Sequence, residues 1–293
     1  MIALILPLAM LLLAPPAPGQ PAAVDSRSVP VLTQMPKMMA LPPEVELPTY
    51  RPGPMPFRDG EKLTYVASWL GIPAAEAQIE LHRAPQNPAV WIAEATIRTN
   101  KAVDVVYKMR DYIQERFAAG TFQPREMQIR QRENHRHDDY AVTFDHAQNL
   151  VTMRKSGPRG IQLKRFTAAN PWGIISGAAL TLSQPLKVDD RFVLDLFSAT
   201  NRYVLSFTVV GRDRIQTALG VVEALRIEPA VVYLSDSKMR GEASATTIWV
   251  SDDARRLPLR VESATFIGTV RVDLTKVENA HADAAGESDG RAR

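Results

Sequence analysis

Between Phe57 and Glu278 the chain alternates apolar and polar residues with a period of two. That is the pattern of strands whose side chains point in turn to a dry face and a wet one. The clearest instance comes near the C-terminus. In Thr269–Val277, Val270, Val272 and Leu274 fall on one face, and Arg271, Asp273 and Thr275 on the other. Before it lie a β-rich run ending in Ile248-Trp249-Val250 and the run Leu259–Phe266. Ser251-Asp252-Asp253-Ala254 and the Ile267-Gly268 corner supply residues that accept turn geometry. The stretch Glu242–Val277 therefore reads as an antiparallel meander that builds a core on one side.

Upstream the same pattern repeats at short intervals. Lys62–Leu70 places Leu63, Tyr65 and Ala67 on one face, and Ala75–Leu81, Val90–Ile97, Tyr107–Phe117, Glu126–Arg136 and Tyr140–Phe144 follow. After a Gly157-Pro158-Arg159-Gly160 turn come Ile161–Phe166, Phe192–Phe197, Tyr203–Val210 and Val221–Val232. About a dozen strands at this spacing predict an all-β sandwich or barrel, and the lack of a fixed period argues against a propeller or solenoid. Two segments break the pattern. Asn100–Val106 reads as a helical turn, and Asn170–Leu182 as a short apolar helix after Asn-Pro. Gly173 and Gly177 weaken that helix by about 1 kcal/mol each, so a buried strand or loop is its alternative. The predicted fold is mainly β: one strongly curved antiparallel sheet, a half-open barrel, around one short helix.

The ends have another character. Ile2–Ala14 is apolar except for Pro7. It is shorter than the about 20 residues a membrane helix needs and fits the apolar region of an export signal. Ala17-Pro18-Gly19 then offers a cleavage site before Gln20. From Pro15 to Pro56 lie twelve of the 22 prolines, a density that forbids helix and central strand and implies an extended linker. Asn279–Arg293 is a polar tail without periodicity. The expected organisation is a signal peptide over 1–19, a proline-rich linker over 20–56, an all-β domain over 57–278 and a disordered tail over 279–293. No second apolar run reaches span length, and 7% aromatic residues are few for the girdles of a transmembrane barrel. A periplasmic protein that is not integral to the membrane is the expectation.

Composition narrows the chemistry. The formal charge is +3, with acids interleaved among bases as in Arg212-Asp213-Arg214, which does not make the basic face of a nucleic-acid binder. Cysteine is absent, which excludes disulfides, thiol catalysis and zinc-thiolate sites. Neither a Walker loop nor G-x-G-x-x-G occurs, and Ser176 lacks the leading glycine of a nucleophile elbow. His135, His137 and Asp139, with His146 further on, could present metal ligands on one strand face, but they also read as a charged strand end beside Arg132 and Arg136. Glu115, Glu126, Glu133, Asp252 and Asp253 supply carboxylates without announcing the fixed separation a glycosidase needs. Arg255 and Arg256 could hold an anionic group, or pair with Asp252 and Asp253. Trp69, Trp91, Trp172 and Trp249 are scattered, as core residues or as the lining of a barrel mouth.

Several blocks together resemble a family. Phe57-Arg58-Asp59-Gly60-Glu61-Lys62-Leu63-Thr64-Tyr65 and Ser68-Trp69-Leu70-Gly71-Ile72 are similar to the opening of the exported bacterial proteins grouped as domain of unknown function 3108. Tyr107-Lys108-Met109-Arg110-Asp111, Tyr140–Asp145, Trp249-Val250-Ser251-Asp252-Asp253 and Arg256-Leu257-Pro258 resemble its later blocks. Ala75 stands where that family's pattern calls for glycine. The resemblance implies a periplasmic protein with a curved sheet and carries over no catalytic residue. A non-catalytic binding protein sheltering an apolar or lipid-like ligand is the first functional expectation, with Trp69, Tyr107, Trp172 and Arg256 as ligand contacts and no cofactor or metal. A structural adaptor that engages an envelope partner through its proline-rich arm is the second, and a hydrolase the third.

Overall fold

The computed structural model describes residues 32–33, 47–198, 202–235, 238–241, 246–265 and 268–279. The expected leader, most of the proline-rich arm and the tail beyond Asn279 lie outside them, as does the Ile267 half of the last turn.

The first half of the sheet is an uninterrupted antiparallel meander. It runs through β2 (Glu61–Trp69), β3 (Ile72–Ala84), β4 (Asn87–Thr99), β5 (Arg110–Ala118), β6 (Pro124–Glu133), β7 (Arg136–Asp145), β8 (Leu150–Gly157) and β9 (Gly160–Thr167). The two-residue β1 (Leu32–Thr33) pairs in parallel with β9. After β10 (Pro171–Trp172) and α1 (Ile174–Leu182) come β11 (Arg191–Phe197), β12 (Arg202–Thr217), β13 (Gly220–Ser235) and β14 (Lys238–Gly241). The expected terminal meander follows as β15 (Thr246–Ser251), β16 (Pro258–Thr265) and β17 (Gly268–Asn279). β17 pairs with β2, so the two halves join into one sheet that curls into a barrel with β1 at its seam. Among the described residues no register joins β9 directly to β10, which instead lies parallel to β11.

Among the described residues, fifteen strands of four or more residues exceed the expected dozen. β8 and β14 were not anticipated, since their polar residues blur the alternation. The Tyr107–Phe117 run begins as strand only at Arg110, because Tyr107–Met109 lead out of a 3-10 turn at Val103–Val105. The Glu126–Arg136 run is cut by Asn134, whose φ of 44° lies in the left-handed region that Asn tolerates. A register shift opposite Ala67 and Ser68 falls beside Ala75, so an irregularity forms there without the family's glycine.

The interior is built by the inward half of each alternation. On β5, Asp111, Ile113, Glu115 and Phe117 are buried; on β6, Met127, Ile129, Gln131 and Glu133. The apolar members merge into one large cluster that takes in α1. All nine residues of α1 are buried. A helix apolar on every side is stable only inside a core, and here it occupies the concavity of the sheet. The opposite end of α1 meets the close of the proline-rich segment. The Gly53 amide donates to Ser183 Oγ at 3.1 Å, and Val193 donates its amide to the Tyr50 hydroxyl at 2.7 Å. A Cβ on Gly53 would fall 2.0 Å from the Ser183 carbonyl oxygen, so only glycine permits this approach.

Candidate functional site

Polar residues occupy inward positions of β5–β8 beneath the β4–β5 connection, where a barrel core would otherwise be apolar. Tyr107 reaches in from that connection and donates its hydroxyl to Glu133 Oε2 at 2.8 Å. Gln131 Nε2 donates to Glu133 Oε1 at 3.3 Å, and its own Oε1 has no hydrogen-bond partner among the described residues. Asp111 accepts the Arg132 amide at 2.9 Å and feels the Glu133 charge from the neighbouring strand. Beside this acid pair, Asp138 is bonded by Lys155 Nζ at 2.7 Å and by Arg136 Nε at 3.0 Å, and Tyr140 donates to the same carboxylate at 3.3 Å.

The two halves of the cluster have opposite electrostatics. Burial pushes the Asp111 carboxyl up to about 7, with the neighbouring Glu133 charge adding to it and the Arg132 amide opposing it. Burial also acts on Asp138, but Lys155 and Arg136 outweigh it and hold that carboxyl below its usual range. Tyr107 is raised by burial and by Glu133, so it stays a neutral donor. The Asp111 carboxyl therefore keeps its proton up to near neutral pH, beside the Glu133 that holds Tyr107 and Gln131. The arrangement does not match glycoside hydrolysis, which sets its carboxyls across an open cleft; here both are buried, and both Glu133 oxygens are occupied by Tyr107 and Gln131.

A pH dependence of stability follows. The folded protein keeps the Asp111 proton up to about pH 7, whereas the unfolded chain releases it near pH 4. Between these values the folded state binds more protons, so stability falls as pH rises through the window. Asp111→Asn keeps the shape without the titration. Its denaturation midpoint is expected to stay flat from pH 5 to 8 while the parent loses up to about 3 kcal/mol. Parallel pH profiles for the two proteins would refute the raised Asp111 carboxyl.

The four expected ligand contacts are not assembled into one site. Trp69 stands exposed at the end of β2, whereas Trp172 is buried in the core against α1. Tyr107 belongs to the acid cluster. Arg256 lies in the β15–β16 turn, bonded to Asp252 at 3.0 Å, and Asp252 also binds Arg212 at 2.7 Å. The pairing of both arginines with the turn's acids holds for Arg256 only, because Arg255 reaches instead to the buried Glu61. Asp253 accepts the amides of Arg255 and Arg256 and the Ser251 hydroxyl, as a turn residue does. His135 sits in the β6–β7 turn, while His137 and Asp139 lie on the outer face of β7, where Arg132 binds Asp139 at 2.7 Å. Sequence reasoning missed the inward cluster. Its signal was there: Asp111 and Glu115 keep the phase of Ile113 and Phe117, as Gln131 and Glu133 keep that of Ile129.

A curled antiparallel sheet around a buried helix, with a polar cluster at one end of the lumen, defines the class as a barrel-like β domain. The chain belongs to the family described as protein of unknown function (DUF3108), whose profile matches residues 64–275. No curated protein matches it. Among solved structures it is similar to a β-barrel-like protein of domain of unknown function DUF1849 from Brucella abortus. The TM-score is 0.53 at 7% identity, covering 74% of this chain and 96% of that one. A candidate exported protein with a YmcC-like fold from Bacteroides fragilis matches at TM-score 0.34 and 9% identity, over 79% of this chain and 100% of that one. A candidate lipoprotein from Parabacteroides distasonis matches at TM-score 0.35 and 10% identity, with the same coverage. At these identities the first likeness concerns the fold alone. Among the described residues no helix is long and apolar enough to cross a membrane.

Proposed function

We propose that the protein is an exported, non-catalytic module of the bacterial envelope, working in the periplasm, whose barrel is a rigid scaffold that binds at its surface. The observation that carries this reading is α1, whose nine buried residues fill the concavity where a carrier would hold its cargo. An apolar ligand inside the sheet would have to displace that helix from its core contacts. The proline-rich arm is the natural partner-binding element. Its last residues are fastened to the barrel through Tyr50 and Gly53, and polyproline segments bind at low entropic cost.

Deletion of residues 23–46 tests it: the Tyr50 and Gly53 anchors are kept, and the sheet loses only the two-residue β1. The expected result is a protein that still folds, with at most a small drop in melting temperature, and loss of the envelope proteins that co-purify with the full chain. Native mass spectrometry of the protein from its own envelope is expected to find it bare. A lipid retained one to one, with co-purifying partners unaffected by the deletion, would favour the sheltering of an apolar ligand instead.

A further inference from the structure

Two neighbouring chain connections at one rim of the barrel carry large apolar side chains into solvent. The β2–β3 turn presents Trp69, Leu70 and Ile72, and the β4–β5 connection presents Val105 and Val106, with exposures from 43% to 87%. They are held side by side, because Asn100 donates its amide to the Ala74 carbonyl at 2.9 Å and its Nδ2 to the Pro73 carbonyl at 2.5 Å. Tyr107, bonded to Glu133, anchors the second connection from beneath. Single exposed apolar residues need no explanation, but five on adjoining tips make a patch.

The backbone adds a second observation. Leu70 and Gly71 have φ of 50° and 81°, the pattern of a two-residue hairpin turn that favours Asn-Gly. Leucine is strained in the left-handed region, and its side chain stays mostly exposed although one methyl lies over Gly268. Stability alone would select asparagine at this position.

Charge decides between occupants. Residues 69–76 and 98–110 together carry four cations and two carboxylates. Glu76 is taken by Arg98 and Asp104 by Arg110. Lys101 and Lys108 remain exposed and make no ion pair among the described residues. Apolar tips bearing a tryptophan and flanked by free lysines suit an anionic bilayer surface, where the tips enter the headgroup region and the lysines meet phosphates.

We infer that this rim is a peripheral docking surface for anionic phospholipid, with Leu70, Ile72, Val105 and Val106 as the inserting residues and Lys101 and Lys108 as the headgroup contacts. It is independent of the arm-mediated reading: the vesicle assay contains no protein partner, and the arm deletion leaves this rim intact.

The experiment is co-sedimentation of the purified full chain with vesicles of phosphatidylglycerol and phosphatidylcholine, and with phosphatidylcholine alone. Binding to the anionic vesicles at low salt is expected, together with a blue shift of tryptophan emission from Trp69. Leu70→Ser with Ile72→Ser is expected to weaken binding at least about tenfold, since the buried side chains supply the insertion energy. Lys101→Glu with Lys108→Glu is expected to remove the preference for anionic over neutral vesicles. All four positions are exposed, so both variants should melt with the parent, which circular dichroism checks. Absence of sedimentation at low salt overturns the proposal, as does binding that neither pair of substitutions changes. Self-association that the serine variant abolishes, without vesicle binding, would make the rim a protein contact and equally overturn it.

Discussion

Replacing Glu115 by alanine is expected to destabilise the protein by about 4 kcal/mol, a large part of the 5–15 kcal/mol that holds a domain folded. Glu115 projects inward from β5 and its two oxygens accept the amides of Ile175 at 2.7 Å and Ser176 at 3.0 Å. The Gly173 amide, two positions before Ile175, is satisfied by Ser176 Oγ at 3.1 Å. Those amides open a helix with no solvent around it, and each left unpaired costs about 1–3 kcal/mol, before any cavity term. Burial pushes the carboxyl up, while the Ser176 hydroxyl and the two amides pull it back. The fit is close enough to demand glycine at 173, where a Cβ would fall 2.1 Å from Oε1. Glu115→Gln keeps the volume and one acceptor but turns an NH2 group toward an amide, so about half the loss is expected. Urea denaturation at constant m-value measures both. An alanine variant with the parent's midpoint would show that the β5 carboxylate does not hold α1 in the barrel.

The helix itself was legible because Asn170–Leu182 has neither the period of a strand nor the polarity of a loop, and its glycines were the reason for the alternative. Structure explains why they do not break it. Gly173 precedes the helix and makes room for Glu115, and Gly177 lets α1 approach Leu194 and Leu196 of β11. A sequence shows the propensity cost of a glycine but not the neighbour that needs its missing Cβ. The terminal meander was legible for the opposite reason. Its alternation is clean, and Val272 and Leu274 are buried while Arg271 and Asp273 are not.

The polar cluster was harder to find because linear spacing on strands says nothing about what lies across a barrel. Glu133 stood out only as one carboxylate among several. Its partner Asp111 lies on the neighbouring strand, and Tyr107 arrives from a connection that the sequence merged with β5. Conversely, Trp172 promised a ligand contact by its chemistry, yet the core beside α1 takes it in. Trp69 is where a sequence reading puts an exposed aromatic, beside a turn, but only the pairing of its hairpin with Asn100 shows that it has apolar company.

Arg202→Met is expected to cost about 3–5 kcal/mol, the loss that follows when one partner of a buried ion pair is removed. Arg202 of β12 grips Asp195 of β11 with two bonds, Nε to Oδ1 at 2.8 Å and Nη2 to Oδ2 at 2.7 Å, both side chains being almost fully enclosed. Its guanidinium lies 5.5 Å from the Phe197 ring centroid, and Nη1 reaches the Thr167 carbonyl at 3.4 Å. Thr167 closes β9, so this one side chain ties the two ends of the sheet together across the seam. Burial pushes the Asp195 carboxyl up and Arg202 draws it back; without the arginine the acid escapes its penalty by taking a proton. The deficit of Arg202→Met is therefore expected to shrink as pH falls from 7 toward 5, because protonation removes the unpaired charge. Asp195→Leu combined with Arg202→Met removes both charges and should recover most of the loss. Chemical denaturation of the parent, the single variant and the double variant at both pH values measures all three effects. A double variant as unstable as the single one would show that the seam depends on the Thr167 bond and the arginine's packing rather than on charge balance.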